Sequence, residues 1–248
     1  MRAIIAGIVF TASAGGCAST GAGGGEVNDP LEPLNRRVFA FNEAADRAVI
    51  GPAADAYVAV TPGFARTGVS NAVSNLNSPV VFANDVLQGE PERAAETFYR
   101  FLVNSTLGVL GLFDPAAEFG VEGHSEDFGQ TLAVWGVGEG PFLVLPLMGP
   151  SNLRDASGRG VDAFIDPLNT GEINNDEDLT ETVRWTSFAL GLLQTRVEIE
   201  PQLESLRDQP EPYVAMRRAY TSQRQAAVRN GRAQDDPYKD LPDFDDFE

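Results

Sequence analysis

The sequence predicts a mainly α-helical fold, on three observations. Helical spacing of apolar residues dominates, most regularly from Leu31 to Ala48 at alternating steps of three and four, the period of a single helix face. Each of five helical segments opens on a start signal, either a capping residue or a proline. Strand alternation is confined to one stretch, Phe142 to Leu147, bounded by Pro141 and Pro146. The chain of 248 residues is long enough for one sizeable core.

The N-terminal segment is expected to be removed. Arg2 precedes an apolar run from Ala3 to Ala14, and Ala14-Gly15-Gly16 leads into Cys17, the only cysteine. That is the layout of a secretory leader, and a lone thiol makes no intrachain disulfide. The expectation is a lipobox: residues 1–16 a lipoprotein signal peptide, Cys17 acylated, and 17–27 a lipidated, flexible tether of small residues. Three acyl chains would hold the protein on a bilayer where one would not. An ordinary leader followed by a buried cysteine is the alternative. Ala18, rather than Asp, follows the cysteine, which resembles lipoproteins carried on to the outer membrane.

The first helix carries Leu31, Leu34, Val38, Phe41, Ala45 and Ala48 on one stripe. Asp29 is its expected N-cap, with Pro30 at the first position and Glu32 at capping-box spacing. A second helix starts at Thr61-Pro62, carries Phe64, Val69, Val73 and Leu76, and stops before Pro79. A third runs from about Pro91, with Ala94, Phe98, Phe101 and Leu102 inward and Glu92, Arg93, Glu96 and Arg100 outward. A fourth starts at Asp178 and continues through Leu179, Val183, Leu190 and Val197; a fifth starts near Pro212.

Two stretches are unusual for a water-facing helical domain. Phe101–Ala116 is uncharged until Asp114, and Trp135–Pro150 carries only Glu139. Both are too short or too broken by Gly and Pro to span a bilayer. They read either as central core or as half-inserted, pore-lining segments. In the fifth helix Arg217, Arg218, Arg224, Arg229 and Arg232 share one arc, a candidate face for anionic head groups or a partner, or simply a solvated face. Residues 234–248 hold seven acids against Lys239 and read as a disordered acidic tail, with Phe244 and Phe247 as docking anchors.

Charge and motifs exclude several functions. A net charge of −18 argues against nucleic acid. His124, Ser125 and Asp127 are too close in sequence to form a nucleophile, base and orienting acid. No G-x-S-x-G elbow is present, and Gly136, Gly138 and Gly140 lack a dinucleotide context. Asn174, Asp176 and Asp178 begin like a calcium loop, but Leu179 and Trp185 occupy its glycine and glutamate positions. No enzyme activity, cofactor or metal is expected.

Four blocks carry a resemblance: NDPLEPLNRRVFAFN (28–42), YRFLVNSTLGVLGLFDPA (99–116), FGQTLAVWGVGEGPFLVLPLMGPSNLRD (128–155) and EPYVAMRRAY (211–220). In order and spacing they resemble the VacJ/MlaA family of outer-membrane lipoproteins. The resemblance implies that 28–233 is a single ring-like helical domain lying in the membrane plane, with a central amphipathic channel and a short glycine-rich hairpin. It implies a retrograde phospholipid conduit, anchored on the periplasmic side, that keeps the outer membrane asymmetric. Its partners would be phospholipid, a trimeric porin and a soluble periplasmic carrier of the MlaC type. A lipid-anchored scaffold that organises porins without moving lipid is the rival.

The family's Phe-Asn pair corresponds to Phe41-Asn42, and its hairpin to Gly136–Gly149 with Gly138 and Gly140. The expected lipid path comprises these with Asn104, Leu107, Leu110, Phe113, Phe142 and Leu147. Arg217, Arg218 and Arg224 are the expected partner or head-group face.

Overall fold

The computed structural model describes residues 28–170 and 176–230. Cys17, the leader, the tether, Asn174 and the acidic tail lie outside them. The order is α1 (Glu32–Ala45), a π-helical turn (Asp46–Ile50), α2 (Gly51–Val60), α3 (Gly63–Gln88), α4 (Pro91–Thr106), α5 (Pro115–Glu118) and α6 (Phe128–Val134). A hairpin of β1 (Phe142–Leu145) and β2 (Gly149–Asn152) follows. Then come α7 (Leu153–Ile165), α8 (Pro167–Thr170), α9 (Glu177–Glu198), α10 (Glu200–Arg207) and α11 (Pro212–Val228). The fold is mainly helical. The strands pair antiparallel, Phe142 opposite Asn152 and Leu145 opposite Gly149. Contacting elements close a circuit: α1, the π-helical turn, α2, α9, α3, α6, α7, β2, β1 and back to α1.

Several starts and stops differ from expectation. Leu31, not Asp29, holds the N-cap position of α1, and no side chain caps it. Asp29 instead accepts hydrogen bonds from Asn35, Tyr213 and Arg217 across the core. Helix α3 runs through Pro79 to a left-handed Gly89. The proline removes one backbone donor and crowds the turn before it; burial of Val80, Val81, Asn84 and Asp85 just beyond it offsets that cost. Helix α9 is capped by Asp176, which accepts from the Leu179 N–H, two residues before the expected cap. Helices α2, α6, α7 and α10 are additional to the five expected.

The largest correction concerns polarity. In α4 the expected faces hold only in part: Ala94 is buried and Glu92 and Glu96 are exposed, but Phe98 is 52% exposed and Leu102 46%, whereas Thr97 and Asn104 are buried. Arg93 pairs with the buried Glu126, and Arg100 with Asp114, both at 2.7 Å. The pattern is general. Among the described residues nine hydrophobic side chains are buried against seventeen polar or charged ones. Desolvated polar groups are costly unless paired, so this interior is held by networks rather than by oil. Among the described residues the compact apolar cluster, Phe142, Val144, Tyr213 and Met216, sits where the hairpin meets α1 and α11. Tyr213 stacks edge-on against Phe39 and Phe142 there.

Candidate functional site

Two asparagines on α1 bind the hairpin as a strand would. Asn35 and Asn42 are seven residues apart, two helical turns, and so share a face. The Asn35 amide donates to Phe142 O and accepts from Val144 N–H, each at 3.0 Å. The Asn42 amide donates to Leu145 O at 3.0 Å and accepts from Leu147 N–H at 2.8 Å. Each carboxamide copies the donor–acceptor pair of a peptide group, so β1 is paired by β2 on one edge and by side chains on the other. Leu147 has φ 61° and Gly149 φ 79°. A left-handed leucine is strained, and the Asn42 oxygen fixes that turn. Phe41, Leu147 and Met148 remain exposed beside it. Phe142 does not: at 2% exposure it belongs to the apolar core rather than to a lipid-lining surface.

The second expected stretch forms a loop after α4. Val109, Leu110 and Gly111 all have positive φ, at 52°, 59° and 88°. Leu107, Val109, Leu110, Leu112 and Phe113 are exposed on it, Leu110 most at 77%. Polar groups hold the backbone from beneath. Gly111 N–H donates to Asn104 O at 2.8 Å and Phe113 N–H to Gly108 O at 2.9 Å. Asn104 itself is buried; its amide donates to Asp114 at 2.8 Å and accepts from Ala116 N–H. A Cβ on Gly111 would sit 2.5 Å from Asn75 Cβ, so the loop closes on α3. Burial pushes the Asp114 carboxyl up, but hydrogen bonds from Arg100, Asn104 and Ala117 N–H outweigh this and hold it below its usual value.

Below that loop lies a polar cavity of about 140 Å³ between α3, α4 and residues 123–125. Serines and asparagines of α3 supply much of its wall, with Arg100, Asn104, Asp114 and His124. The α3 part of this wall is not among the residues expected from the sequence. Its signal is SNAVSNLNS: Ser70, Ser74 and Ser78 recur at four residues, as do Asn71 and Asn75, a polar stripe on a helix chosen for its apolar one.

Helix α11 does not present a free basic face. Arg217 is buried against Asp29 at 2.8 Å and Glu32 at 3.3 Å. Arg224 binds Asp127 at 2.6 Å and Asp155 at 2.7 Å. Its guanidinium loses hydration on burial, but the two carboxylates raise its pKa overall. Only Arg218 of the expected three is exposed. An internal salt-bridge role replaces the expected contact face for Arg217 and Arg224, because the acids they need lie on distant segments.

The hairpin glycines also separate. Gly136 (φ 87°) and Gly140 (φ 69°) need the left-handed region, and a Cβ on Gly140 would meet Leu153 Cβ at 3.1 Å. Gly138 has no positive φ and open space where a Cβ would go. Gly140→Val is therefore expected to cost about 1–3 kcal/mol of stability, and Gly138→Val less than about 0.5 kcal/mol. Denaturant melts of the two variants check this; equal losses would contradict it.

Comparison with known proteins agrees with this architecture. A family model described as MlaA lipoprotein matches residues 27–227. An uncharacterised protein of Rickettsia typhi is 36% identical over 206 residues, 82% of this chain and 79% of its own. The intermembrane phospholipid transport system lipoprotein MlaA of Escherichia coli K12 is 34% identical over 244 residues, 93% of each chain. Its counterpart in Haemophilus influenzae is 31% identical over 212 residues, 84% of this chain and 82% of its own. A solved structure, described as the structural basis for maintenance of bacterial outer membrane lipid asymmetry, superposes with TM-score 0.68 at 33% identity, covering 81% of this chain and 98% of its own. The asparagine-clipped hairpin, the apolar loop and the helical circuit thus occur in a chain that belongs to the MlaA lipoprotein family.

Proposed function

We propose that this protein is an outer-membrane lipoprotein that takes phospholipid out of the outer leaflet and passes it to a soluble periplasmic carrier, making and breaking no bond. The observation that carries this reading is an apolar outer surface over a polar interior. Apolar side chains of α4 and of the Leu107–Phe113 loop face outward, while the interior between α3 and α4 is polar. Exposed apolar area on this scale marks contact with an apolar phase or partner. No helix among the described residues is long and apolar enough to cross a membrane. An amphiphile needs both surfaces: moving acyl chains into water costs about 0.8 kcal/mol per methylene. A polar interior beside outward-facing leucine and phenylalanine lowers that barrier for head and tails together.

Acylation at Cys17, after removal of residues 1–16, would hold the domain at the membrane by the 17–27 tether. The lipid path would run by Phe41, the hairpin Gly136–Gly149 with exposed Leu147, and Leu107, Leu110 and Phe113. Asn42 and Asn104 would fix the two loops, and Arg218 would remain free for a head group or carrier. A trimeric porin would seat the domain in the membrane. Deleting the gene is expected to raise surface-exposed phospholipid and detergent sensitivity, measured by outer-leaflet lipid labelling. Restoration by the wild-type chain but not by Cys17→Ala would support the anchor; unchanged surface lipid in the deletion strain would overturn the transport reading.

A further inference from the structure

The cavity beneath the Leu107–Phe113 loop has a chemistry that selects among lipid head groups. Its lining holds one guanidinium and one carboxylate, Arg100 and Asp114, which meet at 2.7 Å and are each partly open to solvent. The third titratable group, His124, is engaged with Asp85 at 3.0 Å. The remaining wall is mainly serine and asparagine, and it contains no Phe, Tyr or Trp. In sequence, Asn104 and Asp114 bracket the apolar loop, so its two ends descend into the polar wall. Polar wall and outward leucines therefore meet at one place.

We propose that this cavity is a head-group subsite for glycerophospholipids of the phosphoethanolamine class, which bear a primary ammonium and no net charge; the assignment rests on the phospholipid reading above. The head group's phosphate accepts hydrogen bonds from Arg100, and its ammonium donates to Asp114 and to asparagine or serine oxygens. A zwitterion replaces each partner of the Arg100–Asp114 pair with a like-charged group, so neither ion is left desolvated and alone. An anionic head without a cation satisfies Arg100 but leaves Asp114 facing negative charge. A quaternary ammonium donates no hydrogen bond and finds no aromatic cage here. A cavity of about 140 Å³ holds several waters, the scale of a small head group. Leu107, Leu110 and Phe113 then carry the acyl chains outside the cavity.

The test uses the full lipoprotein in nanodiscs of equal phosphatidylethanolamine and phosphatidylglycerol with matched chains. Lipids retained after mild detergent extraction are counted by native mass spectrometry. The wild-type protein is expected to retain the ethanolamine lipid over the glycerol lipid by about tenfold, the effect of one charge-assisted hydrogen bond. Asp114→Asn keeps an oxygen to cap α5 but removes the negative charge, and is expected to bring the ratio to one or below. Retention of both lipids in the nanodisc proportion by the wild-type protein overturns the subsite and leaves lipid transport standing. Retention of no lipid at all overturns the transport reading itself. Phosphatidylcholine held as firmly as phosphatidylethanolamine overturns the primary-ammonium assignment. Free phosphoethanolamine that displaces lipid at equal concentration overturns the part given to the loop. The wild-type ratio decides the first question whether or not the variant folds.

Discussion

Replacing Asp155 with alanine is expected to remove about 3–5 kcal/mol of stability, the cost of stranding buried cations. Asp155 is 4% exposed and serves four side chains: Arg154 Nε at 2.9 Å, Asn152 Nδ2 at 2.9 Å, Arg224 Nε at 2.7 Å and the Tyr220 hydroxyl. It ties α7 to α11, while Arg224 continues the network to Asp127 at the start of α6. Helices α6 and α7 cross where a Cβ on Gly158 would overlap the Gly129 backbone, so the layer has no slack to absorb a rearrangement. For a domain whose total stability is about 5–15 kcal/mol, such a loss is a large share. Urea titration in detergent measures it, with Asp155→Asn as the conservative control. A loss below about 1 kcal/mol in the alanine variant would show that the network contributes little.

The same residue predicts a pH dependence. Burial alone would push the Asp155 carboxyl up, but hydrogen bonds from Tyr220, Arg224 and Arg154 prevail and hold it below its usual value. A folded pKa below the unfolded value of about 3.9 stabilises the fold fully above that pH. The contribution is then lost as pH falls through the lower folded value. The stability gap between wild type and Asp155→Asn is therefore expected to be widest at neutral pH and to narrow below about pH 4. A gap that grew on acidification would refute this.

The second large effect is expected at Asn35. Changing Asn35 to leucine leaves Phe142 O and Val144 N–H buried without their partner and takes one donor from Asp29. At about 1–3 kcal/mol for each stranded group, a loss of about 3–4 kcal/mol is expected, again read by urea titration. Asn42 makes the matching pair of bonds two turns later, but its site is only half-buried and water can substitute. Asn42→Leu is expected to cost about 1 kcal/mol while releasing the strained Leu147 turn. Its signature belongs in lipid transfer: a reconstituted assay with a periplasmic carrier should show altered flux with near-normal melting. If both variants lose stability equally and Asn42→Leu transfers lipid normally, the hairpin turn has no part in transport.

Helix positions in this protein are readable from local pattern, and several ends are not. The stripes of α1, α4, α9 and α11, with prolines at the starts of α1, α4 and α11, place four helices close to where they lie, and Pro141-Phe142 places β1. The capping-box reading of Asp29 and Glu32 fails because Tyr213 and Arg217, more than 180 residues away in sequence, compete for the same carboxylate. Pro79 looks like a stop because the penalty of a proline is local, while the burial that offsets it is not. The site divides in the same way. Exposed Leu107, Leu110, Phe113 and Leu147 stand out as apolar runs that no water-facing loop needs. The serine and asparagine wall of the cavity, and the core position of Phe142, give no comparable signal.

Amino-acid order alone determined that this chain is mainly helical, where α1, α3, α4, α9 and α11 begin, and that a short strand lies after Pro141. Those features depend on periodicity, proline and glycine, which act within a few residues. Tertiary structure decided which face of each helix turns inward, which arginines are spent in internal pairs, and that asparagine side chains complete a strand. A helical period marks two unlike faces without saying what surrounds them. The face that is buried depends on the balance between desolvating polar groups and pairing them, and those partners come from distant segments that meet only when the circuit closes.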